Sequence, residues 1–186
     1  MDSISPFLKK LGLVDSFSTK VAISQKEFVA RLRKHVDEGN TSAFSGAFDV
    51  LSSSKNEYKG HVGRSEFKIK RRKRLFEVGM SALAKGTFRQ SGEYVVIETE
   101  VDGFKRMMIP FYVIGFIMYS VFIFSMLFMD DGNGPGSFVF LPFILFHASL
   151  MFGMPYLMMR RSVKKMKYEL EREFHYMASK QVIDLG

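Results

Sequence analysis

Residues 107–129 read MMIPFYVIGFIMYSVFIFSMLFM, and residues 138–159 read FVFLPFILFHASLMFGMPYLMM. Neither run contains Asp, Glu, Lys or Arg. A helix needs roughly 20 apolar residues to cross the hydrocarbon core of a bilayer, and each run has that length. Two such runs in succession predict two membrane-spanning helices rather than two core helices of a water-soluble fold. The position of the first run speaks against a cleaved signal peptide.

Between them, residues 130–137 read DDGNGPGS. Gly, Asn and Pro punctuate turns, so the runs are expected to form an antiparallel hairpin around a short loop. Lys105 and Arg106 precede the first run, and Arg160, Arg161, Lys164, Lys165 and Lys167 follow the second. The loop carries Asp130 and Asp131 and no basic residue. The positive-inside rule then puts both termini in the cytoplasm and the loop outside.

Working outward, the 186-residue chain carries a net charge of +8, from 27 Lys and Arg against 19 Asp and Glu. With 47% hydrophobic residues it is not a disordered chain. It has no Cys, which excludes a disulfide scaffold, thiolate metal sites and a cysteine nucleophile.

Residues 1–106 are long enough to fold. Ser5-Pro6 followed by Phe7, Leu8, Leu11, Leu13 and Val14 suggests a short amphipathic helix, lying on a membrane surface or packed on its own domain. Phe17 to Ile23 suggests a strand. Ser24 and Glu27 form a capping-box pattern ahead of an apolar face of Phe28, Val29, Leu32 and Val36, with Gly39-Asn40 as the helix end. Phe44, Phe48 and Leu51 permit a further short helix. From Tyr58 the apolar period becomes two. Tyr58–Val62 and Glu66–Arg72 flank Gly63-Arg64-Ser65, and Leu83–Arg89 and Glu93–Val101 flank Gln90-Ser91-Gly92. Both read as β-hairpins. Val95, Ile97, Thr99 and Val101 share one face of the last strand, and Tyr94, Val96, Glu98 and Glu100 the other. After the second run, Val163, Met166, Leu170, Phe174 and Met177 recur at three and four residues. That stripe marks an amphipathic helix whose partner is the sheet or another subunit.

The stretch YKGHVGRSEFKI at 58–69, the basic run after it and the AKGTF strand at 84–88 resemble a group of small bacterial membrane proteins with two hydrophobic spans. The resemblance implies a β-rich cytoplasmic domain on a hairpin anchor in a bacterial inner membrane. It implies no activity.

The densest charge is KIKRRKR at 68–74. On a strand, Lys68, Lys70 and Arg72 share a face, which suits anionic lipid headgroups at about 1 kcal/mol per basic residue. An ionic ladder with Glu98, Glu100 and Asp102 is the competing reading. No base-stacking motif is interleaved, so nucleic acid is not an expected partner. Glu98, Glu100 and Asp102 lack a nearby His and read as solvated or ion-paired rather than catalytic. His147 lies near the middle of the second run, and an ionisable group at that depth is a functional candidate by default. Depth matching puts it beside Tyr119 and Ser120, so a Tyr119–His147 hydrogen bond is the leading reading. Proton relay, cofactor ligation and contact with a partner subunit stand beside it. Ser149-x-x-x-Gly153 allows close helix approach, within the hairpin or to a partner, with Gly115 on the facing span.

The expected architecture is an α+β membrane protein. A small antiparallel-sheet cytoplasmic domain (1–106) precedes a transmembrane helical hairpin (107–129 and 138–159, joined by the extracytoplasmic loop 130–137). A cytoplasmic amphipathic helix and tail (160–186) follow. The expected function is that of a non-enzymatic accessory or scaffold subunit of a larger membrane complex. It would need no cofactor or metal, and its partners would be the lipid bilayer and other membrane proteins or copies of itself. A self-assembling pore or membrane-perturbing effector is the alternative, with an anionic-lipid-sensing module as a third possibility.

Overall fold

A computed structural model describes residues 5–41, 56–72, 81–104, 106, 108–128 and 136–179. The helix suggested around Phe44, Phe48 and Leu51 lies outside them. The chain divides into two compact units, residues 1–104 together with 159–186, and residues 105–158.

The first unit opens with α1 (Ser5–Lys10). Gly12, at φ 68°, stops this helix. The Leu13 amide donates to the Leu8 carbonyl and the Gly12 amide to the Lys9 carbonyl, both at 2.9 Å. This is a Schellman cap, which satisfies carbonyls the helix end would otherwise leave open. Leu13 and Val14 therefore fall outside the helix suggested for them. Strand β1 runs Val14–Val21, three residues earlier than its alternation indicated.

Helix α2 (Gln25–His35) starts at the capping residue Ser24, whose hydroxyl accepts from the Glu27 amide at 3.3 Å. It ends before Gly39. Val36 is extended (φ −121°, ψ 122°) and opens β2 (Val36–Glu38), which pairs in parallel with the strand that starts at Tyr58. A β-branched residue is at ease in the extended state, and pairing with Tyr58 satisfies its backbone better than another half-turn of helix would.

Strands β3 (Tyr58–Val62) and β4 (Glu66–Arg71) form the first hairpin, and β5 (Leu83–Ser91) and β6 (Tyr94–Asp102) the second. Ser91 pairs with Tyr94, so the second turn is Gly92-Glu93. Gly92, at φ 62°, occupies the first central position, where a II′ turn requires a residue that tolerates the left-handed region. The six strands lie in the order β1-β6-β5-β4-β3-β2, all antiparallel apart from β2–β3.

Two helices follow: α3 (Met108–Phe128) and α4 (Gly136–Ser179). The part of α4 from Met159 onward belongs to the first unit and closes its core. Val163, Met166, Leu170, Phe174 and Met177 join Phe28 and Leu32 of α2 and Phe67, Ile69, Val95, Ile97 and Val101 of the sheet in one buried cluster. Phe174 is fully buried, with ring centroids 5.5 Å from Phe28 and 6.0 Å from Phe67. Burial of each such side chain is worth about 1.5–3 kcal/mol. The stripe on residues 160–179 thus packs on the sheet of its own chain, the first of the two partners its periodicity allowed.

Polar contacts fix the same helix. The Ala82 amide donates to Ser162 Oγ (2.6 Å), Lys167 Nζ meets Asp15 (2.9 Å), and Arg71 Nη1 meets Glu169 Oε1 (3.0 Å). Arg31 of α2 bonds both Glu27 and the Met177 carbonyl.

In the second unit, α3 and the apolar part of α4 are both long and apolar enough to cross a membrane. Their side chains point outward: Phe116 is 68% exposed and Phe143 66%. Pro142 and Pro155 lie inside α4.

Candidate functional site

The sheet has one face closed by α2 and the end of α4. On its other face, antiparallel register arranges side chains in rows. One row runs His61, Lys68, Lys85, Glu100, Ser16, and the next runs Glu66, Thr87, Glu98, Ser18. Together they line an open groove of about 850 Å³. Their alternation with core residues is the sequence signal that found β3 to β6. The strand order, which brings the rows together, has no such signal.

The proposed headgroup residues do not share one environment. Lys68 is exposed on the groove. Lys70 is only 7% exposed, in the neighbouring row between Lys59 and Leu83. Arg72 lies beyond the end of β4, and its Nη2 is 2.6 Å from Asp37 Oδ2. An ionic ladder from β4 to Glu98 and Glu100 is not formed directly, because β5 stands between β4 and β6. Lys85 is the residue opposite Glu100, and Lys68 faces His61 and Lys85.

A second polar cluster lies within the core boundary. Tyr58 is 4% exposed, and its hydroxyl has no hydrogen-bond partner among the described residues. Burial, with Glu169 and Glu173 nearby, pushes its pKa well above the ordinary phenol value; Arg71 opposes this in part. A phenol in this position stays neutral and is no proton donor near neutral pH. Among the described residues, no group of three or more His, Asp or Glu is placed to hold a metal ion.

In the hairpin, the Tyr119 hydroxyl lies 2.5 Å from His147 Nδ1, and Tyr119 is buried. Tyr112 donates to the Phe152 carbonyl at 3.2 Å, and its ring stacks on Phe152 at 5.7 Å. Gly115 sits against that same ring: a Cβ there would come within 2.9 Å of Phe152 Cε1. Gly153 has no atom within 4 Å of where its Cβ would be, and Ser149 Oγ donates to its own helix at the Leu145 carbonyl (2.7 Å). The close approach in the hairpin therefore runs through Gly115 and Phe152, while Ser149 and Gly153 make no contact of this kind across it.

No family model matches the chain, and no curated protein is significantly similar to it.

Proposed function

We propose that the chain is a non-enzymatic, membrane-anchored accessory or scaffold subunit. In this reading α3 and the apolar part of α4 cross the bilayer as a hairpin, and the α+β domain presents its open sheet face to a partner in the cytoplasm.

The observation that carries the reading is that residues 1–104 and 159–186 share one hydrophobic core. A domain assembled from both sides of a hairpin requires both ends of that hairpin on one side of the membrane. Two spans satisfy this; a single span does not. The outward-facing phenylalanines of α3 and α4 suit lipid, because a contiguous apolar surface of this kind is not tolerated in water. Basic residues before α3 and after Met159 support the cytoplasm as that side, by the positive-inside rule. The scaffold role is supported by the groove, where two rows of charged and hydroxylic side chains face outward from a rigid sheet.

The test is purification from native membranes in mild detergent, followed by native mass spectrometry. A defined mass that includes other proteins is expected, and a charge-reversing Lys68→Glu/Lys85→Glu variant should release them. A closed ring of this chain alone would overturn the scaffold reading in favour of a self-assembling pore.

A further inference from the structure

A second groove, of about 680 Å³, opens along α2, from its cap Ser24 to Arg33 in its last turn, where the helix meets the β3–β4 and β5–β6 turns. It is lined by Ser24, Gln25, Lys26, Val29, Arg33, Arg64 and Gln90, three of them cationic and none acidic. This volume lies in the usual range for small-molecule sites. The groove is at the end of the sheet opposite Asp102, from which the chain leaves for α3.

Its walls are stitched together. The Gln25 amide donates to Gln90 Oε1 (2.7 Å), Gln25 Nε2 donates to the Arg64 carbonyl (2.9 Å), and Arg33 Nε donates to the Val62 carbonyl (3.0 Å). The arginine side chain at 33 is thus held by one nitrogen, with its two terminal nitrogens left over. None of Lys26, Arg33 and Arg64 forms an ion pair among the described residues. Elsewhere in the domain Arg31, Arg71, Arg72 and Lys167 each have a carboxylate. Two first-turn amides of α2 are already satisfied, by Gln90 and Ser24, so side-chain charge and not the helix end defines the site.

Three cations on a stitched frame, without a carboxylate, leave a local charge of +3 that only an anion neutralises. Arginine forks pair bidentately with phosphate oxygens, and a lysine adds a point charge. We infer that this groove binds a soluble phosphate chain, of the triphosphate class found in nucleotides and inorganic polyphosphate. The scaffold would then carry a ligand site apart from the sheet face.

The test is titration calorimetry of the full chain in nanodiscs of zwitterionic lipid, with inorganic triphosphate as the probe. Saturable binding is expected. Lys26→Glu/Arg64→Glu should weaken it by at least about tenfold per cation removed, since a charged hydrogen bond is worth about that much. Neither side chain makes a contact that folding needs, and an unchanged circular dichroism melt checks this. The neutral pair Lys26→Gln/Arg64→Gln should show a smaller loss of the same sign. Lys10→Glu/Lys20→Glu, an equal charge reversal at exposed residues outside both grooves, should bind like the wild type. Absence of saturable binding, wild-type affinity in both groove variants, or an equal loss in the Lys10/Lys20 control would each overturn the proposal. So would binding that appears only with phosphoinositide in the nanodisc, which would make the ligand a lipid headgroup.

Discussion

Phe174, which follows the second apolar run in sequence, packs edge-on against Phe28 of α2 with ring centroids 5.5 Å apart. The two residues belong to segments separated by the whole hairpin, yet both are fully buried in one core. The hydrophobic core beneath the N-terminal sheet is therefore incomplete without the last helix.

Phe174→Ala should destabilise the α+β domain by about 3–5 kcal/mol, the range for emptying a buried aromatic site. Thermal unfolding followed by circular dichroism in detergent measures it. Truncation after residue 158 should leave the domain unfolded, because it removes the entire Val163–Met177 stripe. A truncated chain that melts like the full one would show that the stripe is dispensable.

Tyr58→Phe should be neutral or stabilising by about 1 kcal/mol, since it removes a buried hydroxyl that has no partner among the described residues. It should also alter the alkaline limit of stability. Burial raises the pKa of Tyr58, so the folded state holds this proton more tightly than the unfolded chain. The stabilisation is complete below the ordinary phenol pKa of about 10 and is lost as pH rises above it. Unfolding free energies measured across that limb should fall less steeply in the Phe variant. Parallel curves would contradict this assignment.

The hairpin makes a contrasting pair of predictions. Gly115→Val should destabilise it by about 1–3 kcal/mol through overpacking against Phe152. Gly153→Val, with nothing near its Cβ, should leave the isolated hairpin unchanged. Tyr119→Phe strips His147 Nδ1 of its bond and, if the helices span a bilayer, should cost about 0.6 kcal/mol, up to about 1.7, the range for hydrogen bonds between membrane helices. Unfolding of the purified protein in mixed micelles gives all three numbers.

Much of this fold is legible in the residues because it rests on periodicity. The two apolar runs, the capping pair Ser24 and Glu27, and the alternation from Tyr58 to Val101 each follow from short-range geometry. The differences arise where a longer-range effect wins. Gly12 ends α1 with a local cap and moves β1 forward. Val36 leaves the helix because Tyr58, far along the chain, offers it a ladder. The stripe from Val163 to Met177 announces a buried face but not what buries it. The candidate sites follow the same division. Tyr119 and His147 could be matched by depth, since a hairpin constrains one coordinate. Lys68, Lys70 and Arg72 looked equivalent by alternation, and only strand order and the position of Asp37 separate them. The groove of Lys26, Arg33 and Arg64 draws on three distant segments and carries no linear signal.

In the proposed topology both ends of the hairpin lie on one side of a membrane. The chain has no Cys, so any introduced thiol is unique. Ser91→Cys in the sheet domain, Lys164→Cys after the second run and Asn133→Cys in the connector would each be probed in intact cells with a membrane-impermeant maleimide, before and after lysis. Labelling of Asn133→Cys alone in intact cells, with Ser91→Cys and Lys164→Cys reacting only after lysis, is the predicted result. Different accessibility at positions 91 and 164, or one accessibility at all three, would rule out this topology.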